Sequence, residues 1–244
     1  MTNKYMYFVA NWKMFGDLGT LNTLNKVITF VNKIKKNKFK LIYCPPSTLI
    51  YPLAKMLKKT SIEVGAQNCH ESESYGAHTG QLNSMMLKDV GAKYVILGHS
   101  ENRQFGENDR LINLKIRSAI KSGLKVIFCI GETLSEKRKK ITKKILAQQI
   151  SKGLNKIKNR KGILIAYEPV WAIGSGLIPE QSELIETIDY IKGKVKGVKV
   201  LYGGSVNPKN INNLKNINSI DGFLIGGASQ VPNNFIDIIK KTYN

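Results

Sequence analysis

Apolar residues in this chain gather in short β-rich runs. Eight of them, at 5–10, 39–44, 62–66, 93–97, 125–129, 163–167, 199–202 and 221–225, recur at regular intervals and are rich in Val, Ile, Leu, Tyr and Phe. An unbroken apolar run such as that at 163–167 reads as a strand covered on both faces. The intervals carry a helical period instead: Leu21, Leu24, Ile28, Val31 and Ile34; Ile141, Ile145, Ile150, Leu154 and Ile157; Leu184, Ile185, Ile188 and Ile191. Strands joined by crossovers of this size run parallel, and eight strand–helix units without a leftover edge close most simply into a (β/α)8 barrel, one α/β domain over residues 1–244. An open doubly wound sheet is the alternative. At 244 residues the core is large enough to need no covalent staple.

In a barrel the chemistry sits at the C-terminal ends of the strands, and there this chain places its polar and glycine residues. After the first run come Asn11, Trp12 and Lys13; after the fourth, Gly98, His99, Ser100 and Glu101; after the sixth, Glu168; after the seventh, Gly203, Gly204 and Ser205; after the eighth, Gly226 and Gly227. Glu168 is the pivot. The loop behind it, Pro169, Val170, Trp171, Ala172, Ile173, Gly174, Ser175 and Gly176, is apolar at first and ends in bare backbone, so it reads as a lid over a base. His99 opens a polar helical segment, where a helix N-terminus disfavours the imidazolium and leaves a neutral donor. Glycine pairs after strands seven and eight suit a phosphate held by loop amides, with Ser205 as an extra donor. Glu132, beside Thr133 at an expected helix start, reads as a cap. Trp12 reads as packing, and His70 and His78 as loop residues.

The formal charge of +21 invites a nucleic-acid reading. Only five of the 38 basic residues are arginine, and the lysines fall in helix-like segments at 33–40, 137–144 and 152–161. Base and phosphate recognition favours the arginine fork, so these are read as solvated helix faces and no specific nucleic-acid partner is expected. No run approaches the ~18 apolar residues of a membrane span, and Asn11 and Lys13 interrupt the first run, so neither membrane nor signal peptide is expected and the location reads as cytoplasmic. Cys44, Cys69 and Cys129 lack metal or disulfide spacing and read as buried reduced thiols.

Taken together, NWKM at 11–14, VGAQNC at 64–69, GHSE at 98–101, CIGETL at 129–134, AYEPVWAIGSG at 166–176, YGGSV at 202–206 and GGAS at 226–229 resemble the triosephosphate isomerase family across essentially the whole chain. The resemblance implies a cofactor-free, metal-free enzyme of glycolysis and gluconeogenesis that interconverts dihydroxyacetone phosphate and D-glyceraldehyde 3-phosphate through an enediolate. Glu168 would be the base and neutral His99 the electrophile, a pairing for which this family is itself the standard illustration. Lys13 and Asn11 would complete the catalytic set and bind substrate, while Gly174, Ser205, Gly226 and Gly227 would hold the phosphate. Ser100 and Glu101 would support them, and Ile173 and Leu224 would close over the base. The resemblance also implies a homodimer formed by the loop at 67–81, with Thr79 at its tip. Here Gln81 and Asn102 are neutral where the usual pattern pairs an acid with an arginine. Pro179 stands in the second lid hinge, where the family's tyrosine, here Tyr202, bonds a backbone N–H that proline lacks. Closure is therefore expected to rest on Ser205 and the phosphate.

Overall fold

A computed structural model describes residues 4–34 and 39–244; of the lysine-rich segment expected at 33–40, residues 35–38 lie outside the described residues. Among the described residues the strands are β1 (Met6–Asn11), β2 (Phe39–Cys44), β3 (Glu63–Ala66), β4 (Tyr94–Leu97), β5 (Lys125–Ile130), β6 (Ile163–Tyr167), β7 (Lys199–Tyr202) and β8 (Gly222–Ile225). All are parallel and follow one another around a closed barrel. The closing pair is β1 with β8, where Tyr7 faces Gly222 and Ala10 faces Ile225. That pairing rules out the open sheet.

The helices are α1 (Asn25–Asn32), α2 (Ile50–Leu57), α3 (Ser84–Asp89), α4 (Ser100–Gln104), α5 (Asp109–Lys121), α6 (Leu134–Arg138), α7 (Thr142–Gly153), α8 (Gln181–Lys194), α9 (Ile211–Leu214) and α10 (Pro232–Tyr243). Two of them start on asparagine caps: before α3, Asn83 accepts from the Met86 N–H, and before α5, Asn108 from the Leu111 N–H. The helical pattern at 141–157 overran the real element. α7 ends at Gly153, where a β-carbon would sit 2.4 Å from the Phe128 ring, and Ile157 packs beyond the helix end.

The unbroken apolar runs conceal two layers. On β6, Ile163, Ile165 and Tyr167 join the core between barrel and helices, whereas Leu164 and Ala166 join an inner core with Val9, Ile42, Cys44, Ile96, Ile127, Cys129, Leu201 and Leu224. Successive strand side chains alternate between faces. The residue after Tyr167 therefore has inward parity, and Glu168 is delivered to the barrel mouth by the same alternation that packs its interior.

The opposite end is closed by charge. Asp221, 1% exposed, accepts the Val200 N–H at 2.9 Å and pairs with Lys4 at 2.9 Å, Lys192 at 2.8 Å and Lys199 at 3.6 Å. Burial alone would push its carboxyl up, but the Lys192 ammonium, the Val200 N–H and Lys4 outweigh it and hold the carboxyl below its ordinary value. A folded-state pKa below the unfolded one contributes stability that is complete above the ordinary carboxylate pKa and is lost as pH falls through the lowered value. Asp221→Asn is expected to destabilise the protein by about 1–3 kcal/mol at pH 7, since charge-assisted hydrogen bonds are lost. The difference from wild type, read by urea denaturation, should shrink steadily below about pH 4.

Candidate active site

The C-terminal ends of β1, β4, β6, β7 and β8 and the loops that follow them converge on a cavity of about 210 Å³ whose lining includes Asn11, Lys13, His99, Glu168, Ile173, Gly174, Ser205, Leu224, Gly226 and Gly227. The residues expected to carry catalysis and to meet the substrate thus share one mouth. Thr79 and Gln81 lie outside it, exposed on the loop after β3.

Glu168 is 3% exposed, and its carboxylate Oε1 lies 3.3 Å from His99 Nε2. Two glycines make room for it. A β-carbon on Gly131 would fall 1.7 Å from the Glu168 carbonyl oxygen, and one on Gly203 would fall 2.8 Å from Glu168 Cγ. Burial pushes the Glu168 carboxyl above its ordinary value, against the pull of His99, Cys129, Lys13 and the Ser100 backbone. Cys129 points into the barrel beside it. Burial, with the Glu168 charge adding to it, pushes that thiol well up, so it stays a neutral S–H against the carboxylate.

His99 caps α4, its Nδ1 accepting the Glu101 N–H at 3.2 Å. An Nδ1 that accepts a backbone N–H places the neutral ring's proton on Nε2, which faces Glu168 and the cavity. Ser100 is buried behind the histidine, and Glu101 reaches out to Lys13, Oε1 to Nζ 2.6 Å. Asn11 is buried at the tip of β1, and its Oδ1 accepts the Lys13 N–H at 3.1 Å.

The loop after β6, expected to act as a lid, begins with a 3-10 turn, Val170–Ala172, anchored by a residue assigned a different role from sequence. Glu132 is not a cap. Thr133 caps α6, and Glu136 returns the bond to complete a capping box. Glu132 is instead 1% exposed, accepting from Trp171 Nε1 at 2.8 Å and from the Tyr167 hydroxyl at 3.2 and 3.3 Å, while its carbonyl accepts the Val170 N–H. The Thr133-x-x-Glu136 spacing was the signal that the cap lay one residue later. Farther along, Pro169 leads into the turn, Ala172 is buried, and Gly174, Ser175 and Gly176 are exposed. The Gly176 N–H donates to Ser205 Oγ at 3.2 Å, so the lid tip is tied to the loop after β7. Asn210 Nδ2 steadies that loop through the Ser205 carbonyl. At the second hinge Pro179 is buried and has no N–H, and the Tyr202 hydroxyl is buried without a hydrogen-bond partner.

All three cysteines are buried and unpaired, and no group of three or more His, Cys, Asp or Glu side chains arranged to hold a metal occurs among the described residues. No helix among them is long and apolar enough to cross a membrane.

Residues 6–242 match the family model described as triosephosphate isomerase. Among similar proteins, the triosephosphate isomerase of Thermodesulfovibrio yellowstonii is 41% identical over 96% of this chain and 98% of its own length. That of Zygosaccharomyces bailii is 42% identical over 91% and 93%. The crystal structure of triosephosphate isomerase from Bartonella henselae superposes with a TM-score of 0.89 at 32% identity, covering 98% of this chain and 99% of that one.

Proposed function

The chain belongs to the triosephosphate isomerase family and is an aldose–ketose isomerase, and on that premise we propose that Glu168 carries a proton between C1 and C2 of dihydroxyacetone phosphate and D-glyceraldehyde 3-phosphate. The observation that supports this most is the buried Glu168 carboxylate 3.3 Å from His99 Nε2 beneath an apolar lid. A base in a dry pocket is stronger than one in water, and Ile173 and Leu224 keep this one dry. His99, with its proton on Nε2, hydrogen-bonds the carbonyl oxygen as negative charge develops there. The Lys13 ammonium and Asn11 stabilise the same enediolate, and backbone amides of Gly174, Ser205, Gly226 and Gly227 hold the phosphate beside the Lys13 side chain, whose Cε lies 3.6 Å from where a Gly226 β-carbon would stand. No cofactor takes part, and the reaction belongs to cytoplasmic glycolysis and gluconeogenesis. A coupled assay with D-glyceraldehyde 3-phosphate tests the reading: folded wild-type protein that fails to isomerise it would sink it.

The acting unit in this proposal is a homodimer built on the loop at 67–81. Met14 is 100% exposed, Phe105 90% and Tyr75 73%, a density of bare apolar side chains that calls for a cover. They stand on neighbouring loops, because Gln67 Nε2 donates to the Lys13 carbonyl and Asn68 Nδ2 to Glu107 Oε1. Gln81 and Asn102 leave no charge stranded if they meet across the interface, so assembly should survive the absence of an ion pair. Sedimentation velocity at micromolar concentration is expected to show dimers; active monomers alone would refute the assembly and leave the chemistry standing.

A further inference from the structure

Lys13 holds a backbone conformation that a side chain ordinarily avoids. Its φ is 56°, in the left-handed region where the β-carbon crowds the following carbonyl. The other two non-glycine residues with positive φ among the described residues, Lys140 and Lys156, follow the ends of α6 and α7, where such a residue commonly terminates a helix. Lys13 follows a strand, so no helix end asks for it. Strain of this kind persists only where the surroundings over-determine it.

The surroundings do so through two glutamines. Gln230, after β8, donates from Nε2 to the Trp12 carbonyl at 3.0 Å, and Gln67, after β3, donates from Nε2 to the Lys13 carbonyl at 2.8 Å and to the Cys44 carbonyl at 2.9 Å. With Asn11 Oδ1 on the Lys13 N–H, the peptide planes on both sides of Lys13 are gripped, and with them its φ and ψ. Trp12 Nε1 on the Ser229 carbonyl at 3.3 Å ties the β8 loop to the same turn. Neither glutamine lines the cavity.

We propose that Gln67 and Gln230 are positioning residues that clamp Lys13 in its left-handed conformation and so aim its ammonium into the mouth, a proposal that rests on reading Lys13 as the cation facing substrate. Relaxing φ to a negative value would swing both peptides. It would draw Nζ away from Glu101 at 2.6 Å, and Cε away from its place 3.6 Å from where a Gly226 β-carbon would stand.

The test uses Gln67→Met and Gln230→Met, neutral changes of similar length that remove the donors. The double variant is expected to lose roughly 10–100-fold in kcat/KM, chiefly in kcat, the scale on which misplacing a catalytic group acts. Its melting temperature should stay within a few degrees of wild type. Calorimetric binding of inorganic phosphate supplies the discriminating readout. The pair of changes should weaken phosphate in the Lys13 chain and change nothing in a Lys13→Met chain. Unchanged turnover in the double variant, or equal weakening in both backgrounds, overturns the clamp while isomerase activity of wild type keeps the functional reading intact. Full activity in Lys13→Met itself would overturn the role of Lys13, and the clamp with it.

Discussion

Glu168→Gln is expected to cut turnover sharply and raise stability together. The change keeps the shape of a side chain that is 3% exposed but takes away the proposed base, and a positioned base contributes about 10²–10⁴ in rate. Stability moves the other way because burial pushes the Glu168 carboxyl up. A folded-state pKa above the unfolded one gives stability that is complete below the unfolded value and is lost as pH rises through the folded one. Above that point wild type bears an ionised carboxylate in a dry pocket, and the amide does not. The variant should therefore melt higher than wild type at pH 7 to 8, with the gap closing below about pH 4. The same shift moves the acid limb of kcat/KM upward from where an ordinary carboxylate would place it. A variant that keeps its turnover would show that the proton goes elsewhere.

Lys13→Met is expected to be nearly as damaging to rate and to leave stability almost untouched. A preorganised charge aimed at a developing oxyanion is worth about 10²–10³ in rate. The folded protein asks little of the same group: its side chain is 29% exposed and its partner Glu101 48% exposed, and exposed pairs contribute about 0–1 kcal/mol. Steady-state kinetics alongside thermal melts check both halves. A large loss of stability with modest loss of rate would recast Lys13 as a structural residue.

How much was legible follows from what each feature needs. The strands were readable to within a residue or so because burial on both faces leaves unbroken apolar runs, such as that at 163–167. The same two-sided burial hid which residues face inward, since Leu164 and Ile165 look alike in sequence and differ only in which core they join. The mouth residues were readable because polar groups at strand tips stand out against that background. Gln67, Gln230 and Glu132 were not, because each acts on backbone or on a side chain remote in sequence: Gln230 reaches Trp12, 218 residues away. Asp221 read as the first residue of a strand, and only the closed barrel brings Lys4, Lys192 and Lys199 around it.

The most direct measurement is proton NMR of the product formed from D-glyceraldehyde 3-phosphate in D2O, with wild type and Glu168→Gln side by side. If Glu168 carries the proton through an enediolate, wild type yields dihydroxyacetone phosphate bearing deuterium at C1, because a carboxylic acid exchanges with solvent during turnover, and the variant forms product and exchanges about 10²–10⁴-fold more slowly. Product with hydrogen fully retained at C1, or deuterium entering at the wild-type rate without Glu168, would contradict it.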